Sequence, residues 1–486
     1  MRSLLWLGLF GCLKPPEAAP LPPPTPRLVV FVIVDQFPTR LLDRAKTLAT
    51  GGFSRLTGPA AWQATARHQH SVTFTCPGHA TLSTGTSPSA HGIPSNDWLI
   101  DGKPTYCANL DFLRTEPVAD VFHEAGGSVV SLSLKDRGAI LLGGHYPAAV
   151  VYFDKKAGRF TPPFENVDLS KYSTTEWVPL FPEKYAQWFP DDQAFEADPA
   201  GRGERTFPHA PLGDKFPGSF LARPEAGTAL TEAAIASIDR YSLGADETPD
   251  LLTISYSEVD YIGHSFTSDS WEAVDSVLRL DQDLGLLFAT LDAKIGAEKY
   301  TVVLSSDHGA APYTSKRINQ ADLTTAANAA LRAQGITGDV LIEDPGVWLP
   351  PSLLQEKRLD ALKAVAEALE AVPGIARAVP WRDQPASDDA IDRAVRLSVD
   401  SERSGDLYLV RDPDALYNYP GAEGLGTSHG TPYDYDQLVP WLMVGAGIHG
   451  QVLSVEQDTR SIAPTIANIA GLRSPKDTPN IAVNPR

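Results

Sequence analysis

Five short apolar runs constrain the fold of this chain more than any other feature. They cover residues 28–34, 128–132, 251–256, 300–304 and 438–444. Apolar runs of this length are typical of strands buried on both faces of a parallel sheet. Helical patterns near residues 230–241, 270–293 and 462–472 alternate with them. The alternation predicts an α/β fold, a doubly wound and mostly parallel sheet with helices on both faces.

Two stretches interrupt this alternation within one catalytic domain, residues 27–486. Residues 146–223 are rich in Pro, Phe, Tyr and Trp, and we expect an inserted cap near the mouth of the site. Residues 320–410 contain a helical pattern at 354–369 between strand-like runs at 339–342 and 406–410, which predicts a small α/β subdomain. We find no internal repeat and no Walker-type glycine loop.

Residues 1–26 are typical of an export leader. A short apolar run at residues 4–10 is too brief to span a bilayer and precedes Cys12 and a proline-rich stretch that would act as a tether. Leu9-Phe10-Gly11-Cys12 is similar to a bacterial lipobox, so plain cleavage and a lipid anchor on Cys12 both remain open. We therefore expect an extracytoplasmic, periplasmic protein, tethered to the membrane if Cys12 is acylated.

The composition excludes one class of partner. The chain has 486 residues, 43% of them hydrophobic, and a formal net charge of −19 at pH 7. Such a chain can bury a large core, but its acidity argues against a nucleic acid polymer as a partner, since that recognition needs clustered cations. A small anionic substrate remains compatible with this net charge if metals and a few cationic side chains make the electrostatic potential of the site positive. The oligomeric state is left open.

Aspartates and histidines recur where the apolar runs end. The candidates are Asp35, Asp260, His264, Asp307, His308 and His429. The carboxyl ends of strands are where open α/β sheets bind ligands, and three carboxylates with three imidazoles form a donor set that suits Zn²⁺. Six donors are too many for one tetrahedral ion and suit two. Two metals roughly 4 Å apart are a common device for displacement at phosphorus.

Thr75 is the candidate nucleophile. It follows an apolar and β-branched stretch and precedes Pro77 and a small-residue helical pattern, which predicts a strand, a turn and a helix start. A threonine hydroxyl is a weak nucleophile at neutral pH, but coordination to Zn²⁺ would lower its pKa and supply an alkoxide.

With Thr75 and the six candidate ligands in this order, the chain resembles the alkaline phosphatase superfamily. Within it, the chain resembles the threonine-dependent bacterial alkaline phosphatases related to nucleotide pyrophosphatase/phosphodiesterases. The resemblance implies two Zn²⁺ ions and a covalent phosphothreonine intermediate. It assigns one ion to Asp260, His264 and His429, and the other to Asp35, Asp307, His308 and Thr75.

Three further residues bear on the choice between monoesters and diesters. The monoesterase branch of the family has a Lys-x-Arg segment, which Lys135 and Arg137 match, and Asn96 matches its asparagine donor to a phosphoryl oxygen. If residues 135–137 are extended, both cations point the same way and clamp the nonbridging oxygens of a monoester. A diester has one fewer anionic oxygen. We therefore expect small phosphate monoesters as substrates, bound by Asn96, Lys135 and Arg137.

Several alternatives stay open. A phosphodiesterase or nucleotide pyrophosphatase on the same scaffold is the nearest, and a silent, tethered phosphate- or metal-binding protein is another. A sulfatase is disfavoured, because alignment on Pro77 puts Thr75 rather than Cys76 at the nucleophile position. Cys76 and Cys107 could form a disulfide or remain free thiols. We interpret His79 as structural, and the remaining nearby histidines as surface residues or supports of the site: His68, His70, His91 and His145.

Overall fold

The computed structural model describes residues 25–199, 201–213, 215–383, 385–418, 423–479 and 481–485. The expected leader, Cys12 and most of the proline-rich tether lie outside the described residues. Among the residues that are described, no helix has both the length and the apolar content needed to cross a bilayer.

The strands of the described residues, in chain order, are β1 (Leu28–Val34), β2 (Trp62–Arg67), β3 (Asp97–Ile100), β4 (Lys103–Tyr106), β5 (Val129–Ser133), β6 (Ala149–Asp154), β7 (Arg159–Phe160), β8 (Asp250–Tyr256), β9 (Tyr300–Ser305), β10 (Arg317–Ile318), β11 (Leu341–Glu343), β12 (Gly346–Trp348), β13 (Ile375–Val379), β14 (Leu407–Arg411), β15 (Leu416–Tyr417), β16 (Leu438–Gly445), β17 (Gln451–Val452) and β18 (Gln457–Asp458).

The helices are α1 (Thr39–Ala45), α2 (Gly52–Leu56), α3 (Thr75–Thr84), α4 (Pro88–His91), α5 (Val118–Glu124), α6 (Asp136–Gly143), α7 (Pro182–Trp188), α8 (Gly218–Leu221), α9 (Pro224–Arg240), α10 (Glu258–Phe266), α11 (Trp271–Lys294), α12 (Gln320–Ala333), α13 (Arg358–Glu370), α14 (Ala390–Ser398), α15 (Asp434–Gln437) and α16 (Ile462–Ile469).

The central sheet has the order β17-β2-β16-β9-β1-β8-β5-β6-β7, with β18 also paired to β2. Its middle strands, β9, β1, β8, β5 and β6, are parallel, whereas β16 is antiparallel to β9 and β2. The parallel centre and the alternation of strands with helices confirm the predicted fold class. All five apolar runs form strands, with bounds that shift by at most one residue at either end.

Alternate residues of β1 pack on opposite layers. Val30 and Val32 belong to a core shared with α9 and α11, while Val29 and Phe31 join a second core with α5 and α16. Because side chains alternate across a strand, an apolar residue at every position requires helices on both faces of the sheet. Every residue of β1 is accordingly buried.

The two stretches that interrupt the strand-helix alternation, residues 146–223 and 320–410, differ in part from the expectation. The stretch 320–410 forms most of a separate layer, where α12 and α13 pack on the sheet β11-β12-β14-β13. The aromatic stretch 146–223 begins inside the central sheet, because β6 pairs with β5. Sequence reasoning missed β6, and also β2, whose alternating half-buried residues do not form a continuous apolar run.

Candidate metal centre and nucleophile

Four neighbouring strands carry polar residues to one edge of the central sheet. Val34 of β1 lies opposite Tyr256 of β8, and Ile33 lies opposite Ser305 of β9. The in-register pairing of parallel strands therefore brings the segments after all three strands to the same edge. The next strand, β5, ends two residues before Lys135 and pairs with β8.

The first ligand group consists of Asp35, Asp307 and His308, all fully buried. His308 Nε2 lies 3.5 Å from both Asp35 Oδ1 and Asp307 Oδ2. His308 Nδ1 is 2.9 Å from the carbonyl oxygen of Gly309 and donates to it. The Nε2 lone pair therefore faces the two carboxylates, which is the tautomer that a metal-binding histidine needs.

The second group consists of Asp260, His264 and His429. Asp260 and His264 lie one turn apart on α10, which follows β8, and His429 comes from the loop before α15. Asp260 Oδ1 is 3.2 Å from His264 Nε2 and 3.5 Å from His429 Nε2. The Nδ1 atoms are 2.9 Å and 2.8 Å from the carbonyl oxygens of Thr427 and Thr73. Both rings thus turn Nε2 towards the shared carboxylate.

The donor atoms of the first group fit divalent cations. Within the described residues, Asp35 Oδ1 and His308 Nε2 are buried without a hydrogen-bond partner although they face each other. Burial and the charge of Asp307 raise the pKa of Asp35 to about 7. Two acceptors that face each other in a dry site are stabilised by a cation between them, and three donors per group suit zinc in an open site.

Thr75 begins α3, and its side chain is buried next to the two groups. Lys135 Nζ lies 3.4 Å from Thr75 Oγ1. A Cβ atom on Gly78, one turn further along α3, would collide with the backbone carbonyl of Asp307, so glycine is needed for this close approach. Residues 68–74, before Thr75, are not a strand, contrary to the prediction. Their backbone instead bonds to other segments, as in the hydrogen bond from Ser71 N to Ala394 O.

Lys135 lies between the two ligand groups. Its ammonium is 2.7 Å from Asp35 Oδ2 and 2.6 Å from Asp260 Oδ2. Burial alone would lower the pKa of Lys135, but the charges of Asp260 and Asp35 outweigh burial and raise it. The ammonium therefore stays charged next to the Thr75 hydroxyl, where an anionic group would be held.

Arg137 lies on a helix rather than on an extended segment. Lys135 is the N-cap of α6 and Arg137 is in its first turn, so the expected alternation along a strand is wrong. Both side chains nevertheless line one cavity with Tyr106 and Tyr261. Arg137 donates to the hydroxyl of Tyr106 at 3.4 Å.

Asn96 is bound to the nucleophile turn. Its amide oxygen accepts the backbone N–H of Cys76 at 2.9 Å, and its carbonyl accepts the backbone N–H of Cys107 at 3.0 Å. Cys76 and Cys107 are joined by a disulfide, the pairing that the sequence left open. Since a backbone N–H must face the amide oxygen, the NH₂ group of Asn96 is turned away as a donor.

Both interrupting stretches contribute to cavities at the site. The cavity beside Asn96, His264 and His429 is also lined by Glu343 and Asp344 of the small subdomain. Trp177 of the aromatic stretch is instead buried, and its indole N–H donates to Asp275 of α11 at 2.7 Å. The stretch thus packs against α11 at Trp177, while its residues 152–156 line the cavity that also holds Lys135 and Arg137.

Two supporting residues had no specific sequence signal. Gln36 donates from Nε2 to Asp260 Oδ1 at 2.9 Å, and its backbone N–H donates to Asp307 Oδ1 at 3.3 Å, so it bridges the two groups. His79, one turn after Thr75, places Nδ1 3.0 Å from Asp307 Oδ2. Position next to a ligand was the only available hint for Gln36.

The other histidines near the motifs differ in burial and in their contacts. His68, His70 and His91 are buried rather than on the surface. His68 supports the site, because its Nε2 is 3.0 Å from the carbonyl oxygen of Ser306, next to Asp307. His145 is exposed, as expected for a surface residue, and its Nδ1 is 2.6 Å from Asp120 Oδ2.

Comparison with known proteins identifies the family. The family model for type I phosphodiesterase / nucleotide pyrophosphatase matches residues 29–432. The chain therefore belongs to this family, within the alkaline phosphatase superfamily.

Individual relatives agree with this assignment. The alkaline phosphatase PafA of Elizabethkingia meningoseptica is 28% identical, over 93% of this chain and 93% of its own length. The alkaline phosphatase PhoK of Sphingomonas sp is 28% identical, over 93% of this chain and 89% of its own length. A crystal structure of wild-type PafA matches with a TM-score of 0.87 and 27% identity, covering 95% of this chain and 98% of that one.

Proposed function

We propose that this protein is a zinc-dependent alkaline phosphatase that hydrolyses phosphate monoesters through a phosphothreonine at Thr75. The observation that carries the proposal is the position of the Lys135 ammonium, between both ligand groups and beside the Thr75 hydroxyl. Relatives named alkaline phosphatases, similar over nearly the whole chain, support it. The nearest competitor is a phosphodiesterase or nucleotide pyrophosphatase, which the family description also names.

Two Zn²⁺ ions, when bound, would lower the pKa of coordinated oxygens and offset charge on the phosphoryl group. Asp260, His264 and His429 would hold one ion, and Asp35, Asp307 and His308 the other, with Thr75 Oγ1 as a further donor. In the first step a bond forms from Thr75 Oγ1 to phosphorus and the bond from phosphorus to the leaving oxygen breaks. Water then attacks phosphorus, breaks the bond to Oγ1 and releases phosphate.

Lys135, Arg137 and Asn96 would bind the phosphoryl oxygens. Lys135 offers a compact charge next to Oγ1, and Arg137 lines the same cavity. A monoester dianion presents three nonbridging oxygens, whereas a diester replaces one of them with a second organic group. Two cations in one cavity therefore favour the monoester.

We also propose that the enzyme works outside the cytoplasm. The disulfide between Cys76 and Cys107 supports this, because such bonds persist in oxidising compartments. Attachment through an acylated Cys12 remains part of the proposal, and cell fractionation of wild type and Cys12→Ala tests it. Wild type in the membrane fraction and the variant in the soluble fraction would support an anchor.

The test compares kcat/KM for p-nitrophenyl phosphate and bis-p-nitrophenyl phosphate, using the purified zinc-loaded protein and its Lys135→Ala/Arg137→Ala variant. We expect a large monoester preference in wild type and a much larger loss on the monoester in the variant. The matched control is Lys171→Ala/Arg240→Ala, which removes two exposed cations outside the cavity. A diester preference would move the protein to the phosphodiesterase branch, and no turnover of either ester would favour a silent binder.

A further inference from the structure

A third cluster of metal-ligating side chains lies outside the proposed active site. Glu196, His209 and Glu272 bring one possible ligand atom each to within 4.8 Å of one another. Their exposed fractions are only 1%, 8% and 0%. Glu196 and His209 belong to the aromatic stretch, and Glu272 is in the first turn of α11. The cluster therefore joins two parts of the chain that are distant in sequence.

The polar atoms of this cluster lack partners. Among the described residues, Glu196 Oε2, both ring nitrogens of His209 and both oxygens of Glu272 are buried without a hydrogen bond. Ser270 is the nearest hydroxyl in sequence to Glu272, but it donates to the Thr267 carbonyl at 2.9 Å. Burying a histidine with two unsatisfied nitrogens close to two carboxylates costs folding free energy unless a further group binds there.

The charges point to a cation as that group. His209 Nδ1 lies 3.9 Å from Glu272 Oε1, too far for a hydrogen bond, so the imidazole does not satisfy this carboxylate. The guanidinium of Arg223, which is near His209, is engaged elsewhere, because it donates to both oxygens of Glu225, at 3.1 Å and 3.0 Å. Two carboxylates and a neutral imidazole would be neutralised by one divalent ion.

The surroundings of this cluster are aromatic. His209 lies among aromatic rings, with centroid distances of 4.6 Å to Phe266, 5.7 Å to Phe207 and 5.8 Å to Trp177. Such walls keep water away and hold the imidazole in place. An imidazole donor favours zinc, since calcium and magnesium prefer oxygen ligands only.

The segment that carries Glu196 contacts helix α10 at Ser265 and the loop that bears His429. Ala197 N–H donates to the carbonyl of Ser265, next to His264, at 2.6 Å. The carbonyl of Phe195 accepts the N–H of Gly426 at 2.8 Å, three residues before His429. A ligand that fixes Glu196 would therefore also fix these two backbone contacts.

We propose that Glu196, His209 and Glu272 bind a third, structural Zn²⁺ ion that joins the aromatic stretch to α11 and steadies the segments around His264 and His429. This site is separate from the two groups that flank Lys135. It uses side chains that the proposed hydrolysis does not need, and it stands or falls independently of that reaction.

The experiment locates zinc directly in the full-length protein. Crystals of zinc-loaded wild type are measured at wavelengths above and below the zinc absorption edge, and the anomalous map is inspected at each cluster. Metal content is measured in parallel by mass spectrometry for wild type, His209→Ala and Glu272→Gln. Asp283→Asn is the matched control, because it changes another buried carboxylate on α11, one that accepts a hydrogen bond from Thr228.

We expect a zinc peak at Glu196, His209 and Glu272, and one zinc equivalent fewer in His209→Ala and Glu272→Gln than in wild type or Asp283→Asn. A map with no peak at this cluster would overturn the proposal, whatever the active-site peaks show. So would full wild-type metal content in both variants. If either variant fails to fold, the wild-type map still decides. A peak that is present only in calcium-containing crystals would overturn the assignment to zinc.

Discussion

The amide oxygen of Asn96 accepts the backbone N–H of Cys76, the residue after Thr75, at 2.9 Å. This contact ties the β3-β4 hairpin to the first turn of α3 and sets the direction of the Asn96 NH₂ group. Under the proposed function Asn96 would therefore have two separable roles. Its oxygen holds the turn that carries Thr75, and its nitrogen would donate to substrate.

Asn96→Asp should separate these roles. Aspartate keeps an oxygen for Cys76 N–H but removes the NH₂ donor, so we expect kcat/KM for a monoester to fall by roughly 10²-fold, as for other lost transition-state donors. Asn109→Ala, an asparagine of the same region that caps a short 3-10 helix, is the control and should keep wild-type kinetics. Wild-type activity in Asn96→Asp would limit Asn96 to holding the turn.

Thr75→Ala should lose roughly 10³-fold or more in kcat, because no other hydroxyl would take the place of the attacking oxygen. Thr75→Ser, which restores a hydroxyl, should recover part of that loss. Zinc content should be unchanged in Thr75→Ala, since six other donors remain. Turnover by this variant at the wild-type rate would disprove the covalent mechanism.

Removing the disulfide should destabilise the protein and disturb the site together. Cys76→Ser/Cys107→Ser frees the turn after Thr75 from the strand end that holds Asn96, and bonds of this kind contribute about 2–4 kcal/mol. Thermal unfolding with and without reductant measures the effect. Wild type should lose stability in reductant while the double variant should not respond. Equal responses of both proteins would contradict the prediction.

His91 should make the fold sensitive to acid. Burial lowers its pKa from 6.5 to about 3. Between these values the unfolded chain binds a proton that the folded chain excludes, so the free energy of unfolding falls as the pH falls, by about 1.4 kcal/mol per pH unit. Above the unfolded-state pKa this contribution disappears.

Urea unfolding of wild type and His91→Gln at several pH values between about 7 and 4 tests this. The variant should be less stable near neutrality, because it alters contacts to Thr81 and to the backbone of Ile93, but its stability should fall less steeply with acid. Shared contributions cancel in the difference between the two proteins. Parallel curves would show that His91 does not contribute to the acid sensitivity.

Much of the central sheet could be predicted from local patterns. The runs at 28–34 and 300–304 are buried on both faces, so nearly every position is apolar and the strands are visible without any knowledge of their partners. Asp35 and Asp307 were found as candidate ligands for the same reason, because each follows such a run. β2 was missed because only its alternate residues are fully buried, so polar and apolar residues alternate along it.

Relationships between distant segments required the tertiary structure. The sequence by itself determined five strands of the sheet, the residue types at its edge and the order of the ligand candidates. Only the folded chain placed Lys135 between Asp35 and Asp260, moved Arg137 onto α6, and joined Glu196, His209 and Glu272 into one cluster. The physical reason is that periodicity reports the burial of a single segment. Convergence of side chains depends on how loops and helices close over the sheet, and no spacing within one segment records that.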